Sequence, residues 1–353
     1  MTYQVTVEPT GDVVEVEDGQ TLLDAALRQG VWLPFACGHG TCGTCKVQVL
    51  EGYADAGDAS SFALMDSERD EGKLLACCCL PESDMVIEAD VDVDPDFQGL
   101  PVEDYQGKVV LIEDLSPTIK HIRLELDRPM AFQAGQYINL HVPSIDSTRA
   151  FSIANPPSMS GIIDLHVRKV EGGAGTTWLH DELQVGQPLD VSGPYGQFFV
   201  RKSDPQGAIF IAGGSGLSSP ESMIMDLLEE GDTRPIYLFQ GARNKAELYH
   251  ADHFYQLAEK HDNFHYIPAL NAPLPDDAWE GFVGFVHEAV GQFFEQRCSG
   301  NKAYLCGPPP MIEAAISTLM QSRLFERDIH MEQFLTAADG ATGKVRSALF
   351  KRI

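Results

Sequence analysis

A chain of 353 residues is longer than one ordinary hydrophobic core organises, so two or three domains are expected. Hydrophobic residues make up 44%, and no apolar run approaches the length of a membrane span, which argues against a membrane partner. A formal net charge of −27 makes nucleic acid an unfavourable partner.

The N-terminus, Met1-Thr-Tyr-Gln-Val-Thr-Val7, reads directly as a strand, with no basic segment and no apolar signal region, so a cytoplasmic location is expected. Val13 to Val16 completes a hairpin and Leu22 to Gln29 reads as a helix. Then comes Cys37-Gly-His-Gly-Thr-Cys42-Gly-Thr-Cys45, three cysteines at C-x4-C-x2-C, with Cys77-Cys78-Cys79 further on. That is the ligand spacing of a plant-type [2Fe–2S] cluster, whose irons are held by four thiolates. Glycines between the ligands let the loop wrap a compact inorganic core and turn backbone N–H groups toward sulfur. A zinc site prefers two separate C-x2-C pairs, and only one is present. The remaining alternative is buried structural thiols. The eight cysteines of a chain without a signal fit thiolates in a reducing compartment better than disulfides.

Lys46 to Leu50 follows as a strand, and a final short strand leads into the acidic stretch Glu88 to Glu103, which carries Pro95 and Pro101 and reads as a linker. Residues 1–100 hold 20 acidic and 4 basic side chains, a net of −16, while the other 253 residues carry −11. The surplus serves solubility or steers this region to a basic patch on an electron acceptor.

From Tyr105 the pattern changes to short alternating segments: Gly107 to Leu111, His121 to Leu126, Tyr137 to Val142, Ile163 to Val170 and Pro188 to Ser192. Such spacing predicts a small antiparallel barrel. Within it lie Arg149-Ala150-Phe151-Ser152 and Gly172-Gly173-Ala174-Gly175-Thr176-Thr177, a glycine-rich turn opening a helix. A guanidinium fork and a helix N-terminus are both suited to phosphate oxygens.

From about Pro205, strand and helix patterns alternate, as in a doubly wound parallel sheet. The apolar run Ala208 to Ala212 leads into Gly213-Gly214-Ser215-Gly216, with Ser219 as the expected N-cap and Pro220 as the first helical residue. Strands are expected at Pro235 to Gln240, Phe264 to Leu270 and Lys302 to Cys306, with helices at Met223 to Leu228, Ala251 to His261 and His287 to Gln296. The last of these strands ends in Gly307-Pro308-Pro309-Pro310-Met311. Glycines at a strand-to-helix turn admit a pyrophosphate. Met331 to Phe334 closes one more strand, and a mildly basic tail follows with Lys344, Arg346, Lys351 and Arg352.

The first 95 residues resemble plant-type ferredoxins, in which the last ligand stands four residues before a proline. That resemblance selects Cys77, ahead of Pro81, to join Cys37, Cys42 and Cys45, and leaves Cys78 and Cys79 as packing residues. The remainder resembles the ferredoxin–NADP reductase superfamily, whose flavin motif is Arg-x-Tyr/Phe-Ser and whose nucleotide domain carries Cys-Gly-x-Pro-x-Met. The resemblance implies that Arg149 contacts the flavin diphosphate, Phe151 packs on the flavin and Ser152 bonds near its reactive nitrogen. Gly173, Gly175, Thr176 and Thr177 would bind phosphate. Gly213, Gly214, Gly216, Gly307 and Pro308 would line the nucleotide site, and Cys306 would sit by the nicotinamide carbon that gives up hydride. Glu332 and Phe334 are further candidates against the flavin.

The implied architecture is a ferredoxin-like α+β domain of β-grasp type over 1–97, an FAD-binding antiparallel β-barrel over 98–203 and an NAD(P)H-binding α/β domain over 204–335, with a tail at 336–353. With the ferredoxin first, the chain resembles reductase components of bacterial multicomponent aromatic oxygenases, above all the phenol hydroxylase subgroup. That order favours FAD over FMN. The implied activity is an NADH-dependent oxidoreductase passing electrons from NADH to FAD, then to [2Fe–2S], then to a di-iron hydroxylase docked on the acidic ferredoxin domain. NADPH is less favoured, because only Arg243 and Lys245 could reach a 2′-phosphate. The alternatives are a reductase serving a Rieske-type dioxygenase and a redox-sensing binding protein.

Overall fold

The computed structural model describes residues 1–91 and 94–334; the basic tail predicted at 336–353 lies outside the described residues. The chain forms two compact units, Met1–Glu103 and Asp104 onward.

The first unit is built on a five-stranded mixed sheet. Strand Thr2–Glu8 pairs antiparallel with Asp12–Glu17 and parallel with Met85–Glu88, and Lys46–Glu51 bridges Met85–Glu88 and Lys73–Leu75. Val5, Val7, Val14 and Val16 alternate along the hairpin and are fully buried, so one face of the sheet is core. Helix Leu22–Arg28 covers it with Leu22, Leu23, Ala25, Ala26 and Leu27, and the Thr21 hydroxyl caps it by accepting from the Asp24 N–H. Such a cap contributes about 1 kcal/mol. A sheet covered by one helix, with a long loop at 30–45, is the expected β-grasp arrangement.

The second unit carries two six-stranded sheets. In the first, Ser147–Ser152, Tyr137–Val142, Pro188–Tyr195, Glu103–Ser116, Ile119–Leu126 and Ile162–Arg168 are neighbours in that order. A bridge between Ile153 and Leu165 joins the two ends and closes the barrel. Leu124, Ile138, Leu140, Ile163 and Leu165 fill it and are fully buried. The strand holding the Arg149 motif is absent from the sequence-predicted set. Its burial does not alternate cleanly, because residues 147–151 are exposed or half-buried and only Ser152 is buried.

The second sheet is parallel throughout, in the order Phe282–Val283, Phe264–Leu270, Ile236–Ala242, Gly207–Gly213, Asn301–Gly307 and Ile329–Gln333. Every residue of its central strand Gly207–Gly213 is buried, since helices cover both faces. Helices Ser218–Glu229 and Ala251–Lys260 pack on one side, and Val286–Phe293 and Pro309–Gln321 on the other. Strand order turns outward from Gly207–Gly213 in both directions, so its C-terminal end is the switch point where such sheets bind ligands. Gly213 to Gly216 occupy that end.

Candidate functional site

In the first unit the loop from Cys37 to Cys45 brings the candidate cluster ligands together. Cys45 and Cys77 are buried, with Sγ atoms 3.2 Å apart. Backbone N–H groups point at sulfur around the loop: Gly40 at Cys77 Sγ (3.3 Å), Thr41 at Cys37 Sγ (3.4 Å) and Thr44 at Cys42 Sγ (3.5 Å). Gly40 is required twice over. Its φ is +77°, and a Cβ there would stand 2.7 Å from Cys78 Sγ. Burial raises the Cys37 thiol, but bonds from the Thr41 side chain and the His39 and Thr41 amides outweigh it and set it at about 6. The bond with Cys77 lowers Cys45 to about 7 and raises Cys77. Cys79 is fully buried and pushed up to about 12, as an inert packing thiol should be. Four sulfurs in a loop of inward N–H donors suit a [2Fe–2S] core, since such bonds stabilise thiolate and sulfide charge.

In the second unit, register assembles the site. Antiparallel pairing sets Arg149 opposite Leu140, Phe151 opposite Ile138 and Ser152 opposite Tyr137, whose ring stacks on Tyr195 at 5.5 Å. The exposed Arg149 side chain donates to Ser147 Oγ (3.1 Å) and the Thr148 carbonyl (2.7 Å). Gly175, 26 residues later, lies at the first turn of helix Ala174–Asp181, where a Cβ would stand 3.7 Å from Arg149 Cγ. Arg149 and the helix N-terminus thus form one corner. Gly173 is the N-cap. The Thr176 hydroxyl is turned inward, donating to the Gly173 carbonyl (3.2 Å) and accepting from the Val170 N–H (3.1 Å). Thr177 is half-buried in the same turn.

At the switch point, Gly216 sits so close to the strand Asn301–Gly307 that a Cβ would be 2.6 Å from the Cys306 carbonyl carbon. Met311, in the first turn of its helix, packs back on Gly213 and Gly307; a Cβ on either would fall 2.6–2.7 Å from its sulfur or methyl group. That contact gives the Gly-Pro-Pro-Pro-Met spacing its physical reason. Gly214 takes φ +58°, and Pro308 is the exposed N-cap of helix Pro309–Gln321.

Cys306 pairs with Glu332 across the parallel ladder, which brings its Sγ to 3.8 Å from Glu332 Oε2. The same oxygen accepts from Ser152 Oγ at 3.0 Å and from Ser219 Oγ at 3.1 Å. The barrel strand, the first turn of the helix after the glycine turn, and the final strand therefore meet on one carboxylate. Burial pushes the Glu332 carboxyl up to about 7, against the lowering effect of its three bonds, so near neutral pH it holds a proton about half the time. Burial raises the Cys306 thiol well above its usual range, so it is neutral. Phe334 donates its N–H to the Gly307 carbonyl (3.0 Å) and packs against the core cluster to which Phe210, Leu217 and Cys306 belong.

The expected capping role of Ser219 is corrected here. A 3-10 turn, Gly214–Leu217, precedes the helix, which starts at Ser218, and the Ser219 hydroxyl serves Glu332 instead. Sequence reasoning also missed the Tyr137–Tyr195 stack, whose two rings come from strands 58 residues apart. Arg243 pairs with Glu247 at 2.8 Å, while the Lys245 backbone N–H donates to an Asp277 carboxylate oxygen (3.1 Å) and its Nζ to the Asp277 backbone carbonyl (3.4 Å).

Among the described residues, no helix is long and apolar enough to cross a membrane. Three domain families match the sequence: a 2Fe-2S iron-sulfur cluster binding domain over residues 5–82, an oxidoreductase FAD-binding domain over 106–200 and an oxidoreductase NAD-binding domain over 210–316. The chain is 72% identical to the phenol hydroxylase P5 protein of Acinetobacter pittii and 68% identical to the reductase component of phenol 2-monooxygenase from Pseudomonas sp. strain CF600, each over the full length of both chains. The crystal structure of a cytochrome P450 reductase from Amycolatopsis superposes with a TM-score of 0.84 at 36% identity, covering 94% of this chain and 99% of that one. The ferredoxin reductase of a carbazole 1,9a-dioxygenase gives 0.76 at 27% identity, covering 95% and 99%. The chain belongs to the ferredoxin–NADP reductase superfamily and, within it, to the family of phenol hydroxylase reductase components with an N-terminal [2Fe–2S] domain followed by FAD- and NAD-binding domains.

Proposed function

We propose that this chain draws electrons from NADH and delivers them, through FAD and a [2Fe–2S] cluster, to the hydroxylase of a multicomponent phenol monooxygenase. The observation that carries the reading is the convergence of Ser152, Ser219 and Cys306 on Glu332, at the joint of the barrel and the nucleotide sheet. The bound flavin supplies what the other two centres cannot do together, since hydride carries two electrons and the cluster takes one at a time.

The chain's own residues then have distinct tasks. Arg149 and the N–H groups at Gly173, Gly175, Thr176 and Thr177 hold diphosphate, with Thr176 acting through its amide because its hydroxyl is engaged. Phe151 packs against the ring. Ser152 directs its proton to Glu332, which leaves its oxygen as an acceptor toward a ring N–H. Gly213, Gly214, Gly216, Gly307 and Pro308 admit the dinucleotide closely, and neutral Cys306 offers a soft, uncharged wall to the nicotinamide. Phe334 shields the flavin from water. Glu332, poised near 7, holds or releases a proton beside Ser152. Cys37, Cys42, Cys45 and Cys77 ligate the cluster. NADH is favoured because Arg243 is paired with Glu247 and the Lys245 Nζ is turned to the Asp277 carbonyl. Domain limits at 97/98 and 203/204 belong to the same reading.

The hydroxylase docks on the acidic first domain. Phe62, 96% exposed, and Met65 stand on the segment whose Ser60 N–H donates to Gly40 of the cluster loop, with Asp55, Asp58 and Asp66 exposed around them. An apolar anchor in an acidic rim fits a partner with an apolar pocket ringed by basic residues. A reductase for a ring-hydroxylating dioxygenase would use the same relay, but the relatives matching full-length at 72% and 68% belong to phenol hydroxylases.

An anaerobic NADH titration of the purified protein tests the relay. Bleaching of flavin and iron–sulfur bands should total about three electrons, two for FAD and one for the cluster. Absence of an iron–sulfur band, or bleaching by NADPH alone, would overturn it.

A further inference from the structure

A second polar cluster lies in the same unit, where the barrel meets the nucleotide-binding sheet. One ring nitrogen each of His166 and His250 and a carboxylate oxygen of Glu221 lie within 4.8 Å of one another. The three come from separate elements: strand Ile162–Arg168, helix Ser218–Glu229, and the residue before helix Ala251–Lys260.

Proton bookkeeping fixes the state of His166. Tyr249 has a single O–H, and its oxygen lies 3.0 Å from the Gly214 carbonyl, which can only accept. Tyr249 therefore accepts from His166 Nδ1, 3.2 Å away, so the proton of this neutral imidazole is on Nδ1. Its lone pair is on Nε2, to which no hydrogen bond is directed among the described residues. The ring is buried, which favours the neutral form that a metal ligand must take. The Glu221 carboxylate faces His250 on the other side of the cluster. Its two oxygens both lie 3.0 Å from His250 Nδ1. His121, the register partner of His166, is not available as a further ligand, because Asp164 and Glu113 hold its two nitrogens at 2.8 and 2.9 Å.

We propose that His166, Glu221 and His250 form a binding site for a divalent ion of zinc type, with Tyr249 as the outer partner that presents His166 Nε2. Two imidazoles and one carboxylate are a donor set suited to zinc, which completes its tetrahedron with water. A hydrogen bond from the far ring nitrogen to a neighbouring oxygen is the usual device for orienting a ligating histidine. The ion would tie the barrel to the nucleotide domain, and through Tyr249 it would also stiffen the glycine turn at Gly214.

The test uses the full-length protein carrying its cluster and FAD, dialysed against Zn²⁺ buffered by a weak chelator, with zinc and iron counted per chain. The wild type should hold one zinc that His166→Asn and Glu221→Gln lack. Tyr249→Phe keeps the ring and should weaken zinc affinity by about 10–100-fold. Zinc-edge X-ray absorption should show only nitrogen and oxygen at about 2.0–2.2 Å. No zinc in the wild type, equal zinc in the wild type and all three variants, or a sulfur shell at about 2.3 Å would each overturn the site. If His166→Asn fails to fold, the zinc-edge spectrum and Tyr249→Phe still decide.

Discussion

Glu332→Gln removes the one titrating group at the point where Ser152, Ser219 and Cys306 meet. In the folded chain this carboxyl is pushed from 4.5 to about 7, chiefly by burial. The native state therefore holds a proton between about pH 4.5 and 7 that the unfolded chain has released. Stability must fall as pH rises across that window and level off above it. At about 1.36 kcal/mol per tenfold change in proton affinity, the full penalty is about 3 kcal/mol. This is an upper bound, since the residue as a whole is only half-buried. Between pH 5.5 and 8, where the cluster is easier to keep intact, about 2 kcal/mol of it should be visible. Glutamine keeps an oxygen for both serines and cannot titrate. Denaturant unfolding followed by tryptophan fluorescence, at several pH values, should show wild-type stability declining relative to the variant by that amount. Stopped-flow reduction by NADH should likewise show a wild-type inflection near pH 7 that the variant lacks. Parallel stability curves would refute the idea that Glu332 is a strained, half-protonated carboxyl.

Cys42→Ser should abolish the iron–sulfur absorption while leaving flavin reduction by NADH nearly intact, because the cysteines lie in a compact unit of their own; a variant that can no longer reduce its flavin would contradict the modular reading. Arg149→Ala should lower FAD occupancy after purification, measured as the flavin-to-protein absorbance ratio, and full occupancy would remove Arg149 from the phosphate corner. Phe62→Ala should leave ferricyanide reduction unchanged but raise the apparent KM for the hydroxylase about tenfold, the scale of a 1–2 kcal/mol anchor. In the same assay, added salt should slow electron delivery if the acidic rim steers docking; a flat profile with an unchanged KM would leave the charge as a solubility device.

What the sequence disclosed depended on distance along the chain. Cys37, Cys42 and Cys45 fall within nine residues, so spacing alone expressed their chemistry. Strands Tyr137–Val142 and Phe264–Leu270 were legible to the residue, since clean alternation or a continuous β-rich run marks them. Strand Ser147–Ser152 was hidden because its burial does not alternate: residues 147–151 are exposed or half-buried and only Ser152 is buried. Ser219 looked like a cap because Ser before Pro usually is one. Only the neighbouring strand could reveal that its hydroxyl is needed elsewhere. Likewise, His166 and His250 stand 84 residues apart and carry no motif. Their meeting is a product of packing between two layers, which no local pattern encodes.

The Glu332 oxygen that accepts from Ser152 and Ser219 also sets a timetable. Its donors are 180 and 113 residues upstream of it. The ferredoxin unit is complete after 103 residues, whereas Ser152 must wait for the last strand to be synthesised. At about 5–20 residues per second that wait is on the order of 10–40 s. A growing chain can thus complete its first unit well before Ser152 and Ser219 meet Glu332, so the two units become whole one after the other.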